Sequence, residues 1–138
     1  MKKKTVSIIS LVLLLALLLG NSAFAAVNAS EQISSTSAIA YSGGSGKINI
    51  SITIVGNGGM SMLGAMYIYI YESDGTYIKT LSYGSTDGMM SYNTGYYSSV
   101  IPCTVPAGHS YYAGVVFYAQ DSYGHGDSVT VYTGTASA

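Results

Sequence analysis

The chain of 138 residues carries few charged side chains, and the basic ones are unevenly placed. Three of its five lysines stand at positions 2–4 and arginine is absent, so the remainder keeps Lys47 and Lys79 against six acidic residues, a formal charge of −4. A surface for nucleic acid or for anionic lipid needs clustered cations. The composition therefore excludes nucleic acid as an expected partner and disfavours anionic membranes.

The first 25 residues show the three parts of a secretory signal peptide. Lys2 to Lys4 form a basic start, an apolar run extends from Val6 to Leu19, and Ala23-Phe24-Ala25 precedes Ala26. This order predicts a signal helix that is cleaved after Ala25, because an apolar run of 14 residues is shorter than the roughly 20 of a membrane-spanning helix. With neither a cysteine at the cleavage site nor a twin arginine, we expect Sec-dependent export to the extracellular space without a lipid anchor.

Cleavage leaves 113 residues, predicted as a flexible lead over 26–33 and one domain over 34–138. The single cysteine, Cys103, excludes an internal disulfide, so packing and backbone pairing must stabilise this domain. We expect Cys103 to be a small buried hydrophobic residue. An intermolecular disulfide is the alternative.

Alternation of apolar and polar residues predicts antiparallel strands in the first part of the domain. A strand over 34–41 and a Gly/Ser turn precede the clearest pattern, over 47–54. The apolar members of that pattern are Ile48, Ile50, Ile52 and Ile54. Because successive side chains of a strand point to opposite faces, these isoleucines should line a buried face of an antiparallel sheet.

The glycine-rich segment 56–59 is expected to end this strand, with one helical turn at 60–64 before the next strand. In that next strand Met66, Ile68 and Ile70 should face the core, which leaves the alternating tyrosines outside. The Asp-Gly pair in the segment 73–76 predicts a hairpin turn, which leads to a partner strand over 76–83.

The remaining elements are a loop over 84–95, strands over 96–105, 111–120 and 127–134, and turns at 106–108 and 121–126. Pro102 places the first of these strands at a sheet edge or a bulge. About seven short strands separated by turn signals predict an all-β fold, an antiparallel immunoglobulin-like β-sandwich.

The segment 105–124 resembles the E–F corner and F strand of fibronectin type III and related immunoglobulin-like domains. In those domains a Pro/Gly turn precedes a tyrosine whose hydroxyl bonds back to the corner. Tyr111, which follows Pro106-Ala107-Gly108, matches that tyrosine with one inserted residue. The resemblance implies that the third, sixth and seventh predicted strands share a sheet.

The whole domain also resembles a group of small secreted proteins of Gram-positive bacteria to which no transferable function is attached. The shared order of motifs lies at Gly46–Ile50, Met62–Gly64, Ser73–Gly75, Gly88–Met90 and Tyr111–Ala113. This resemblance implies a β-fold and export.

A face of tyrosines is the first candidate binding surface, on the outer side of the sheet that the third, sixth and seventh strands would share. Its members would be Tyr67, Tyr69, Tyr71, Tyr112, Tyr118 and Tyr132. Tyrosine rings with polar tips suit stacking on sugars and protein interfaces, and an exposed cluster often marks a binding surface. Cross-strand tyrosine pairs also stabilise a sheet face without any ligand, so both interpretations stay open.

A loop end that gathers 56–64, 84–95 and 121–127 is the second candidate. It would bring together Met60, Met62, Met89, Met90, Asp121, His125 and Asp127. The thioethers could form an adaptable apolar patch or, with imidazole, a Cu(I) site. The aspartates could instead bind Ca²⁺, and simple capping of the core by the methionines is the remaining alternative.

The sequence nominates no catalytic set, since His109 and His125 are expected at opposite poles of the domain. It predicts a secreted, non-enzymatic module that binds a cell-surface, glycan or protein ligand without a cofactor. The alternatives are a self-associating structural extracellular protein and an extracellular protein that handles copper or calcium.

Overall fold

A computed structural model describes residues 30–138, so the predicted signal peptide, its cleavage site at Ala23, Ala25 and Ala26, and the first part of the predicted lead lie outside the described residues. The described strands are β1 (Ile33–Ser42), β2 (Lys47–Glu72), β3 (Tyr77–Ser82), β4 (Met90–Thr104), β5 (Ser110–Gln120), β6 (Gly126–Tyr132) and β7 (Ala136–Ser137). All their pairings are antiparallel, which confirms the predicted all-β class. Over residues 30–138 no helix has the length and apolar character needed to cross a membrane.

The glycine-rich segment 56–59 does not end a strand, and residues 60–64 are not helical; both predictions are wrong. Val55 pairs with Tyr96 and Met60 with Thr94, so four residues of β2 face the single residue Gly95 of β4. This is a β-bulge, in which extra residues bend a strand without terminating it. Gly58 supplies the left-handed conformation that the bulge needs, with φ of +113°.

The bulge divides β2 into two parts with different neighbours. The first part, 47–56, lies between β1 and β4. The second part, 62–72, has β5 along one edge and, along the other, β3 and the start of β4. All seven strands therefore belong to one curled sheet, in which β2 continues through the point where the sequence predicts two separate strands.

The core lies inside the curl, where the two parts of β2 bring their apolar faces together. Ile48, Ile50, Ile52 and Ile54 are fully buried, as their alternation predicts. They join one cluster with the buried residues of the second part and of β5, including Ile68, Ile70, Val115 and Phe117. The inward set of 66–71 is also confirmed at Ile68 and Ile70, whereas Met66 is half-buried.

Two further elements differ from the sequence prediction. The expected loop over 84–95 ends early, because β4 begins at Met90 and its first residues pair with Leu63 and Gly64 after the bulge. The strand β7 was not predicted, since two residues are too short to show alternation; Ala136 pairs with Tyr111 and is buried. The predicted hairpin turn is present between β2 and β3, and Pro102 lies in β4, which pairs with β2 alone.

Tyr111 makes the hydrogen bond that the resemblance to the E–F corner predicts. Its ring is buried at the start of β5, and its hydroxyl donates to the carbonyl oxygen of Pro106 at 2.6 Å. The bond spans the turn before β5 and fixes the position at which this strand enters the sheet.

Candidate functional site: a face of tyrosines

The outer side of β2 carries tyrosines because Ile68 and Ile70 point inward and neighbouring residues alternate. Tyr69 faces Gly114 of β5, and Tyr71 faces Tyr112 of β5 and Tyr77 of β3. The next strand, β6, places Tyr132 opposite Gly114. The third, sixth and seventh predicted strands, here the second part of β2, β5 and β6, therefore share a sheet as predicted, and they are also neighbours in it.

We call this surface the tyrosine face and define it by its outward positions. They are Tyr67, Tyr69, Tyr71, Tyr77, Thr80, Ser82, Tyr112, Gly114, Val116, Tyr118, Ser128, Thr130 and Tyr132. All six predicted tyrosines belong to it. None of the outward positions carries a charged side chain, so the face is electrically neutral and rich in hydroxyls.

Four rings form a row that crosses four strands. Tyr77 contacts Tyr71 edge to face at a centroid distance of 6.1 Å, and Tyr71 stacks on Tyr112 at 5.2 Å with an angle of 19° between the planes. Tyr112 in turn contacts Tyr132 at 6.4 Å. Such aromatic pairs stabilise a sheet face, and they also fix the rings in one arrangement.

The other predicted tyrosines lie beside this row. Tyr67 and Tyr69 contact each other at 6.2 Å along β2. Tyr118 lies further from the row, with its hydroxyl against Gly126 at the start of β6. The row therefore forms the continuous part of the face.

The phenol groups of the row affect one another electrostatically. Partial burial, followed by the nearby phenols of Tyr132, Tyr112, Tyr69 and Tyr77, raises the pKa of Tyr71 above its ordinary value. The Tyr71 hydroxyl accordingly stays protonated at physiological pH, where it can both donate and accept a hydrogen bond.

Gly114 makes room for the ring at one end of the row. A Cβ atom at this position would lie 2.9 Å from Cε1 and 3.3 Å from Cδ1 of Tyr132. The Tyr132 ring therefore packs directly on the β5 backbone. The side chain of Tyr132 nevertheless stays 65% exposed.

The methionines of the predicted loop end are distributed between the core and its margin. Met60 and Met89 are buried in the core cluster, whereas Met62 and Met90 are half-buried along the β2–β4 pairing. Two of the four thioethers are thus core residues, which agrees with the capping alternative for Met60 and Met89.

The acidic residues of the loop end accept separate sets of hydrogen bonds. Asp121 accepts the amides of Tyr123 and His125 at 2.8 and 2.9 Å and lies 3.2 Å from the His125 ring nitrogen. Partial burial opposes ionisation, but these bonds lower the pKa of Asp121. Asp127 binds Ser30 and Gln32 instead. Within residues 30–138, no three or more His, Cys, Asp or Glu side chains are grouped so that they could hold a metal ion.

The remaining reactive side chains lie apart from the tyrosine face. The ring nitrogen Nδ1 of His109 contacts the Glu72 carboxylate at the end of β5 opposite to His125. Cys103 is buried, as predicted, and burial raises the pKa of its thiol despite the nearby Lys79. A thiol held in its protonated form is a poor nucleophile.

Comparison of the chain with protein-family models, with curated proteins and with solved structures gave no match. The two resemblances drawn from the sequence therefore stay predictions.

The sequence interpretation missed two residues that shape the row of rings, Tyr77 and Gly114. Tyr77 lies directly across the hairpin from Tyr71, a pairing that the Asp-Gly turn could have given. Gly114 interrupts an otherwise regular strand, and an isolated glycine in a strand often marks the close approach of another group.

Proposed function

We propose that this chain is an exported, non-enzymatic binding module whose ligand surface is the tyrosine face. The observation that carries the proposal is the row from Tyr77 to Tyr132, in which four packed rings cross four strands and the two end residues stay more than half exposed. Rings fixed by packing lose little conformational entropy when a ligand binds.

The export part of the proposal is supported by the position of the predicted cleavage site. Cleavage after Ala25 would leave every described strand intact, together with the bonds of Ser30 and Gln32 to Asp127. The product would keep its whole core.

The pairing pattern supports an immunoglobulin-like strand order for the proposed module. One group consists of β1, the first part of β2 and β4, and the other of β3, the second part of β2, β5 and β6. These groups correspond to the two sheets of such domains, here joined by the continuous β2. In that arrangement the tyrosine face covers the outer side of the second group.

Binding of the purified protein to glycan arrays and to immobilised extracellular proteins tests the proposal. The matched variants are Tyr67→Ser, Tyr69→Ser and Tyr71→Ser combined, against Tyr41→Ser and Tyr96→Ser combined on the outer side of β1 and β4. We expect the wild type and the second variant to bind and the first variant to lose binding. Undiminished binding by the first variant would refute the proposal.

Self-association is the second candidate function, and the outer side of the other strand group favours it. Ile39 of β1 and Val100 of β4 flank Ser51 and are 58% and 48% exposed. Lys47 is the charged residue among the outward strand positions of this group, and a sheet surface with exposed aliphatic residues and so little charge is prone to association. Sedimentation velocity at increasing concentration should then detect oligomers that Ile39→Lys abolishes, whereas a monomer at every concentration excludes this function.

A further inference from the structure

The ring of Tyr132 is an aromatic surface that is fixed on one side and open on the other. Three of its carbons, Cε1, Cδ1 and Cζ, would lie 2.9, 3.3 and 3.6 Å from a Cβ atom on Gly114, so the ring lies along the β5 backbone. Its exposure leaves room for a second flat apolar group. The C–H face of a pyranose ring is such a group, and it stacks on tyrosine as other flat groups do.

Polar groups suited to sugar hydroxyls surround this ring. Tyr112 contacts Tyr132, and Tyr71 stacks on Tyr112. In residues 30–138 the tyrosine hydroxyls that bond to other protein groups are those of Tyr77, Tyr97 and Tyr111. The hydroxyls of Tyr71, Tyr112 and Tyr132 are therefore available, and each can donate and accept, as a sugar hydroxyl requires.

The charge of the surface selects among ligand classes. No outward position of the tyrosine face is charged, so an acidic or basic polymer would lose hydration there without finding a counter-charge. The acidic balance of the chain after the predicted cut disfavours acidic polymers further. Apart from Gly114 and Val116, every outward position carries a hydroxyl group, which suits a ligand that is itself rich in hydroxyls.

These observations point to one ligand class, and we infer that the tyrosine face binds an uncharged carbohydrate chain. One sugar stacks on Tyr132, and its neighbours run along the row toward Tyr77 and exchange hydrogen bonds with Tyr112 and Tyr71. The steps of 5.2 to 6.4 Å between rings are comparable to the advance per residue of an extended polysaccharide. This inference rests on the proposed function, because it names the ligand of the same face.

Affinity electrophoresis and calorimetry of the purified protein with soluble neutral polysaccharides (glucan, xylan and mannan) and with charged ones (polygalacturonate and chitosan) test the inference. We expect binding to at least one neutral polymer and to neither charged polymer. Tyr132→Ser should weaken binding about tenfold or more, the size of one lost stacking contact. Tyr132→Phe, which keeps the ring, should retain most of the affinity.

Gly114→Ala provides an independent variant, because its new methyl group would displace the Tyr132 ring without removing it. It should weaken binding as Tyr132→Ser does. Tyr123→Ser, in the exposed turn before β6, is the matched control and should bind as the wild type does. A cooperative thermal unfolding transition above the assay temperature in Tyr132→Ser, Tyr132→Phe and Gly114→Ala excludes loss of the fold.

The inference is overturned if none of the neutral polymers binds or if Tyr132→Ser binds them unchanged. A different result separates the inference from the proposed function. If the variant with Ser at Tyr67, Tyr69 and Tyr71 loses binding to an extracellular protein, and the wild type binds no neutral polymer, the tyrosine face remains a binding surface and carbohydrate is rejected as its ligand.

Discussion

Asp127, the second residue of β6, accepts a hydrogen bond at 3.0 Å from the backbone amide of Gln32, which directly precedes β1. The same carboxylate oxygen accepts the Ser30 hydroxyl at 2.9 Å. One acidic side chain thereby connects the residues just before β1 to β6, which is an edge strand of the group that also contains β3, β5 and the second part of β2. The contact joins the two sides of the curl at a place where no backbone pairing does so.

We expect Asp127→Asn to lower the thermal unfolding midpoint at neutral pH. The bonds from Gln32 and Ser30 lower the pKa of Asp127, so the folded state holds the carboxylate ionised to lower pH than the unfolded chain does. The stabilisation is complete above the unfolded pKa of about 3.9 and is lost as the pH falls through the folded value. The difference between variant and wild type should therefore disappear in strong acid. Asp87→Asn, in an exposed loop, is the control, and an equal effect of both substitutions would contradict the role of Asp127.

Tyr111→Phe should destabilise the fold while keeping the buried ring. The substitution removes the hydroxyl that donates to Pro106. Loss of one ordinary hydrogen bond predicts a fall in the unfolding midpoint of about 4–8 °C. Tyr112→Phe, which removes a hydroxyl on the exposed face, should leave the midpoint unchanged. Equal midpoints for the two variants in scanning calorimetry would argue against the corner bond.

Gly64→Ala tests the close approach of β2 and β4 beyond the bulge. A Cβ atom at this position would overlap the Met89 carbonyl oxygen and lie 2.7 Å from Cα of Met90. Since backbone atoms must move, we expect a loss of unfolding free energy of about 1–3 kcal/mol or more in urea denaturation. Gly59→Ala in the bulge meets no atom within 4 Å and should change stability by about 0.5 kcal/mol or less. A tolerated Gly64→Ala would mean that this approach is not required.

Spectrophotometric titration of the phenols tests the raised pKa of Tyr71. Burial raises the pKa of Tyr111 as well, so the folded protein should contain two phenols that ionise above the ordinary range, and Tyr71→Phe should remove one of them. A phenol whose pKa is higher in the folded state than in the unfolded chain stabilises the fold fully below its unfolded pKa of about 10, and this contribution is lost as the pH rises through the folded pKa. The same high-pH step in Tyr71→Phe as in the wild type would contradict the raised pKa of Tyr71.

Period-two alternation was sufficient to predict the strand faces, because side-chain direction follows residue by residue from the backbone. The burial of Ile48 and Ile52 and the outward position of Tyr69 follow from it directly. The continuity of β2 could not be predicted in the same way. Glycines end strands and also permit bulges, and the pairing of Met60 with Thr94 depends on a partner 34 positions away.

The sequence predicted which tyrosines belong to the candidate site, but it did not predict how their rings are arranged. The expectation that the third, sixth and seventh strands share a sheet predicted six tyrosines on one face. The stacking of Tyr71 on Tyr112 and the packing of Tyr132 on Gly114 depend on strand register, which the local pattern does not specify. Of the predicted loop end, Met60 and Met89 lie in the core cluster, in agreement with the capping alternative, and Met62 and Met90 are half-buried.

The most direct test of the tyrosine face is a comparison of dissociation constants for one bound ligand, identified on the arrays, across two double variants. Tyr71→Ser with Tyr112→Ser removes the stacked centre of the row, and Tyr41→Ser with Tyr96→Ser removes two exposed rings from the outer side of the other strand group. We predict that the first pair weakens binding about a hundredfold, because it removes two hydroxyls that face the ligand and the ring that packs against Tyr132, and that the second pair leaves it unchanged. Equal dissociation constants for the first pair and the wild type would contradict a binding role for the tyrosine face.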